Sequence, residues 1–216
     1  MLVAGIDEAG RGSLLGPLVI ACIIINDDKI KYLKEIGVKD SKMLSRKKRL
    51  ELYEEIKEVA DKMIIKKITT KAIDARTNLN RLELDTIANI LKNVRLEEIY
   101  IDSFYRNPKK IVEVLANRLC YNPKIYAEHR ADANNIVVGA ASIIAKVNRD
   151  KEIDKLRVYG NVGSGYPSDE ITIKFVEEWI KKNKQYPEFV RKSWKTMKRI
   201  DISQSQLHDP YQKVLD

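Results

Sequence analysis

Cysteine and histidine are scarce in this chain, with two of each among 216 residues. Cys22 and Cys120 make neither a metal motif nor a disulfide framework. Both lie in apolar segments and read as core thiols in a reducing cytoplasm. His129 has no second His or Cys at ligand spacing, so it reads as structural rather than as a zinc ligand. No apolar run approaches the ~20 residues of a membrane span. The N-terminus has no basic leader, and an acid interrupts it at Asp7, which is not how a signal peptide is built. The expectation is a cytoplasmic protein with no membrane partner. No Gly-Lys-Ser/Thr follows the early glycines, so there is no P-loop. The spacing of Gly10, Gly12 and Gly16, with acids ahead of the turn, does not fit a dinucleotide fingerprint. Internal repeats, low-complexity tracts and long linkers are missing as well. The length suits one sizeable core, with room for a small appended lobe.

What the chain has in excess is positive charge. Forty Lys and Arg against 31 Asp and Glu leave a net charge of +9, which favours a polyanionic partner, nucleic acid first and an anionic membrane second. A thermophile-style surface rich in both signs is the alternative.

Residues 2–17, LVAGIDEAGRGSLLGP, organise the rest. Leu2, Val3 and Ile6 are strand formers that run into Asp7 and Glu8, and Gly10, Gly12, Gly16 and Pro17 read as turn residues. Neighbouring side chains on a strand point to opposite faces, so the two acids cannot share one face of a flat strand. A buried ionised carboxylate is costly without a cation beside it. A cation site is one reading; a strand end with two solvated acids and a hairpin turn is the other.

Along the chain, Pro17 to Ile25 reads as a strand buried on both faces. Ser45 is placed to cap a helix burying Leu50, Tyr53, Ile56 and Val59 or Ala60, with Arg46 to Arg49 on its exposed side. Met63 to Thr69 completes three antiparallel strands. From residue 70 strands and helices alternate, which argues for parallel strands with crossover helices. A helix carries Leu79, Leu82, Ile87, Ile90 and Leu91; a strand ends on Asp102; a helix holds Pro108 in its first turn; and a further strand ends near Asp132. One long helix then runs to Gly160, and Ser168 caps another through Ile180.

Strand ends in an open sheet converge on ligand-binding crevices. Asp7, Glu8, Asp102 and Asp132 are therefore candidates to meet at one edge, where repulsion calls for a hard divalent ion, Mg²⁺ or Mn²⁺. A pair of such ions can activate water and stabilise the leaving oxygen of a phosphodiester. Ser142 and Lys146 share a helix face and are candidate phosphate contacts, although a snorkelling surface lysine fits the spacing equally.

These segments, GIDEAGRGSLLGP, KDSKMLS, IDSF, AEHRAD with VVGAASIIAKVNRD, and GSGYPSD, resemble in order type 2 ribonuclease H (ribonuclease HII), most closely its archaeal form. The resemblance covers about residues 1–170, and RKSWKT extends it further. It implies an α/β, ribonuclease H-like fold: a mixed five-stranded sheet flanked by helices (residues 1–165) with a small helical C-terminal lobe (166–216). It also implies a monomeric endonuclease that cuts RNA in RNA–DNA hybrids and 5′ of single ribonucleotides in duplex DNA, with two metal ions. Asp7, Glu8, Asp102 and Asp132 would be the metal-binding catalytic acids. Gly10, Arg11 and Gly12 would read the ribose 2′-OH, which separates RNA from DNA, and Tyr166 would engage the RNA–DNA junction. Ser41, Lys42, Arg46, Ser142 and Lys146 would contact the backbone. Some archaeal members end in a clamp-binding tail with a Gln, an aliphatic residue and paired aromatics. This chain ends QKVLD, with Gln212 and Leu215 but no aromatic pair: either such a tail is missing from this sequence or clamp binding is absent, and the C-terminus as given does not support a sliding clamp as partner.

Two other classes compete. A nucleic-acid-binding module with structural acids would bind in a salt-sensitive way without turnover. A resolvase or transposase relative would cut DNA, but has no need of a 2′-OH sensor.

Overall fold

The computed structural model describes residues 1–38, 43–76 and 78–200. Its centre is a mixed sheet of five strands in the order β3-β2-β1-β4-β5. β1 (Leu2–Ala9), β2 (Leu18–Asn26) and β3 (Lys62–Ile68) are antiparallel neighbours. β4 (Glu98–Asp102) and β5 (Lys124–Glu128) lie parallel to β1 on its other side. The sheet expected from the pattern is the one observed. β2 is buried on both faces, as its unbroken apolar run requires.

Helices cover both faces. On one, Ile6, Ile20 and Ile101 pack against α4 (Leu79–Leu91) and α5 (Lys109–Arg118). On the other, Val3, Ala21 and Ile23 pack against α2 (Arg46–Val59) and α7 (Ile136–Leu156), with α1 (Ile30–Glu35) at the side. α7 lies closest to β1 at Gly5, where an added Cβ would fall 2.3 Å from the backbone carbon of Val137. The small residues Ala140, Ala141 and Ala145 of α7 are fully buried in the same cluster.

Several local readings shift. Ser45 does cap α2, accepting from the Lys48 amide at 3.1 Å. The buried positions of α2 are Leu52 and Ile56, while Leu50 is 41% exposed. Two residues separate Leu50 from Leu52, about 200° of helical rotation, so packing against α7 turns Leu50 outward. Pro108 caps α5 instead of lying within its first turn. The long helix expected to run to Gly160 is α7, which ends at Leu156 and passes into a 3₁₀ turn, Arg157–Tyr159. Where the strand was expected to reach Asp132 there is instead a short helix, α6 (Ala131–Asn134), separated from α7 by an extended Asn135 whose side chain accepts from the amides of Val137 and Val138. Asp169, not Ser168, caps α8 (Glu170–Asn183), because its carboxylate also takes the Ser164 amide. α3 (Thr70–Asp74) is a single short turn after β3. Cys22 is buried, but Cys120 is exposed in the turn between α5 and β5.

A third apolar cluster unites Leu14 and Leu15, from the turn after β1, with Ile153, Val176, Ile180, Val190 and Met197. Among the described residues, no helix is long and apolar enough to cross a membrane.

Candidate active site

Asp7 and Glu8 take opposite faces of β1, as strand geometry demands. Asp7 is buried, 4% exposed, on the α7 side, where it accepts a hydrogen bond from Ser142. Half-buried Glu8 looks toward α4, within electrostatic reach of Glu83 and Arg11. Asp102 ends β4 one step past the Ile6–Ile101 pair, on the same face as Asp7. Its Oδ1 accepts from the Ala131 amide at 2.8 Å, which pins α6 to the end of β4. Asp132 therefore sits buried in the first turn of α6, and not at a strand end as its sequence context predicted. The residue before that helix, Arg130, adopts φ 59, the left-handed conformation that reverses the chain between β5 and α6.

The acids sense one another. Burial pushes Asp7 up to about 7; the Ser142 hydrogen bond opposes this, and the charges of Asp102 and Asp132 add to it. Burial also raises Glu8 well above the usual carboxylate range, and Asp7, Glu83 and Asp102 raise it further, while Arg11 pulls it down. Among the described residues no three acidic, histidine or cysteine side chains stand together as a ready-made metal cage. The donors present are carboxylate oxygens, the type that Mg²⁺ and Mn²⁺ take, and their mutual repulsion is what such an ion relieves. The residues fit a divalent ion on that ground.

The glycine turn is held from three sides. Gly10 (φ 84) and Gly16 (φ 77) occupy left-handed conformations that favour glycine. Arg11 donates from Nε to both oxygens of Glu83, at 3.0 and 3.1 Å, and from its guanidinium to Asn80. Glu83 is fully buried; burial pushes it up to about 7, with Arg11 opposing. Arg191, 0% exposed, donates to the carbonyls of Gly10 (2.7 Å), Arg11 (2.8 Å) and Gly16 (3.1 Å) and lies over the Trp194 ring. Burial, and next the nearby Arg149 cation, lower Arg191 to about 10, so it remains charged at neutral pH. The Gly165 carbonyl accepts from the amides of Leu14 and Leu15, which ties the turn to the loop bearing Tyr166.

The other candidates fall at varied distances from this centre. Ser142 is fully buried between Asp7 and Lys146, whose Nζ donates to it at 3.2 Å, so it stands behind Asp7. Arg46 is exposed at the start of α2 and pairs with Asp154 on α7. His129, exposed, has Nε2 3.3 Å from the Arg106 carbonyl. Ser41 and Lys42, and the tail with Gln212 and Leu215, lie outside the described residues. Three residues of the site were not singled out from sequence: Glu83, Arg149 and Arg191. A signal existed for Glu83, a carboxylate on the apolar stripe of α4, four residues from Leu79 and from Ile87.

The ribonuclease HII family model matches residues 4–197. The ribonuclease HII of Thermococcus sibiricus is 47% identical over 205 residues, covering 93% of this chain and 92% of the relative. The crystal structure of ribonuclease H2 from Pyrococcus horikoshii OT3 superposes with a TM-score of 0.88 at 42% identity, covering 93% of this chain and 97% of that one. The PCNA–ribonuclease HII complex of Archaeoglobus fulgidus matches with a TM-score of 0.83 at 38% identity, over 90% of this chain and 96% of that one. The fold is thus of the ribonuclease H type, and the chain belongs to the ribonuclease HII family, metal-dependent hydrolases of RNA in RNA–DNA hybrids.

Proposed function

We propose that the protein cuts 5′ of single ribonucleotides embedded in duplex DNA as well as within RNA–DNA hybrids, leaving 3′-OH and 5′-phosphate ends. The observation that carries this reading is the adjacency, at the end of β1, of mutually repelling carboxylates and a glycine turn fixed by Arg191. Asp7, Glu8, Asp102 and Asp132 would hold two divalent ions, Mg²⁺ or Mn²⁺. When bound, these supply an activated water and neutralise charge on the scissile phosphate.

The remaining work falls to the chain itself. With the carbonyls of Gly10 and Arg11 turned onto Arg191, the planar trans peptides direct the amide N–H groups of Arg11 and Gly12 the opposite way. Those two donors suit a ribose 2′-OH. The Arg11 guanidinium is already engaged by Glu83 and Asn80, so the backbone makes the selective contact. Tyr166, half-buried beside this turn, is assigned the junction sugar. Ser142, with Lys146 behind it, orients the Asp7 carboxylate. Arg46, with Ser41 and Lys42, is assigned to the phosphate backbone. Residues 1–165 are assigned to the catalytic part, and Tyr166 to the C-terminal lobe that begins after them. No interaction with a sliding clamp is assigned.

The test is cleavage of three end-labelled duplexes with Mg²⁺ or Mn²⁺: all DNA, one ribonucleotide in DNA, and RNA paired with DNA. A cut 5′ of the lone ribonucleotide, abolished by EDTA and absent from all-DNA, is the expected result. Cleavage of the hybrid alone overturns the embedded-ribonucleotide claim, and equal cutting of all three discards the ribose sensor.

A further inference from the structure

We propose that Arg149, on α7, is a positioning residue that fixes the Tyr166 ring at a set spacing from the Gly10–Gly12 turn. This rests on the reading of Tyr166 as the junction contact. The guanidinium carbon of Arg149 lies 4.4 Å from the centre of the Tyr166 ring, a stacking distance that favours a planar cation. Its Nη2 donates to Ser13 Oγ at 2.9 Å and to the Ser164 carbonyl at 2.5 Å. Ser13 and Ser164 belong to the two loops in question, and the Ser13 hydroxyl also donates to the Gly165 carbonyl at 2.9 Å. One buried side chain, 6% exposed, therefore bridges the glycine turn and the Tyr166 loop and carries the aromatic ring on its face.

The glycines on either side are shaped around it. A Cβ at Gly10 would stand 3.1 Å from Arg149 Cγ, and one at Gly165 would stand 2.9 Å from its Nη2. Both also have positive φ, 84 and 81, so each is required twice over. The nearest carboxylate, Asp150, lies 3.5 Å from Nη1. A stem chosen only to neutralise charge would not need both loops' oxygens and an aromatic face. Lysine in this place has a point charge without the planar fork, so it can neither stack flat nor span two acceptors.

The experiment is a double-mutant cycle in the full chain with Arg149→Lys, Tyr166→Ala and the pair. It is read as single-turnover cleavage of the one-ribonucleotide duplex and of the long RNA–DNA hybrid. Arg149→Lys is expected to slow the one-ribonucleotide substrate by about tenfold and the hybrid by less than about threefold. In the Tyr166→Ala background it is expected to add less than about twofold. Additive losses, or equal losses on both substrates, assign Arg149 to general stability and overturn the proposal while leaving Tyr166 in its role. A Tyr166→Ala enzyme with an unchanged substrate ratio overturns the junction reading and the proposal together. Ser13→Ala removes one acceptor of the Arg149 guanidinium while leaving its bond to Ser164 and its place over the Tyr166 ring, and keeps the question decidable should Arg149→Lys not fold. The same skewed substrate ratio, reduced in size, is the expected outcome, and an unskewed ratio refutes the bridge.

Discussion

Asp7→Asn is expected to lower cleavage by at least about 10³-fold, the several kcal/mol of charge stabilisation that a bound divalent ion supplies. The same substitution is expected to raise the melting temperature of the metal-free protein. Asp7 is buried and pushed up from 3.8 to about 7, first by desolvation and then by its acidic neighbours. A carboxyl whose folded pKa exceeds its unfolded one binds its proton more tightly in the native state. Its stabilising effect is full below 3.8 and is lost as pH rises through about 7. At roughly 1.4 kcal/mol per unit, the whole span is worth up to about 4 kcal/mol, on the order of 10 °C for a chain of this size. In EDTA, the melting temperature of Asp7→Asn should therefore match that of the parent near pH 4 and exceed it increasingly toward pH 8. Added Mg²⁺ or Mn²⁺ should stabilise the parent above pH 7 and the variant far less. A variant that cuts at the parent rate removes Asp7 from the chemistry. A flat difference across pH refutes the burial and repulsion described for it.

Gly5→Ala should cost roughly 3 kcal/mol or more, a fall in melting temperature of about 6–12 °C. The added methyl would lie 2.3, 2.4 and 2.6 Å from the carbon and oxygen of Val137 and the nitrogen of Val138. These are backbone atoms of the first turn of α7, so no rotamer change gives relief. α7 has to lift off β1, and with it moves Ser142, which orients Asp7 two residues beyond Gly5. Cleavage is expected to fall about tenfold even where the variant is fully folded, since sub-ångström misplacement at such a centre is expensive. Gly12→Ala is the matched control for stability: nothing lies within 4 Å of its added Cβ, and its melting temperature should stay within about 2 °C of the parent. Equal melting temperatures for the two variants would mean that α7 does not approach β1 this closely.

The fold was legible because its determinants are local. The unbroken run of β2, the switch from antiparallel to parallel pairing after residue 70 and the Ser45 cap all leave signatures a few residues long. Asp7 and Asp102 were legible for the same reason, as acids toward the ends of apolar strands, which is where the structure places them. Asp132 was assigned to the site but to the wrong element, because the left-handed Arg130 that starts α6 has no glycine to announce it. On α2, Tyr53, Ile56, Val59 and Ala60 pack inward as expected and only Leu50 was misread, since Leu50 and Leu52 are both apolar and packing against α7 decides between them. Arg149 and Arg191 were illegible as site residues. Their acceptors lie up to 181 positions away, and most are backbone carbonyls, to which any residue type contributes equally. A buried arginine satisfied by main chain casts no pattern in sequence, whereas Glu83 on an apolar stripe does.

The grip of Arg191 on Gly10, Arg11 and Gly16 also sets a birth order. It joins residues 175 to 181 positions apart, and Leu15 bridges Val190 in the same place. Closing so long a loop costs only slowly growing entropy, but it has to wait until the ribosome has passed Arg191. The sheet and its acids can assemble earlier, from residues 2–156. A growing polypeptide thus carries the acids of β1, β4 and α6 before the Arg191 contact that fixes the Gly10–Gly16 turn can form.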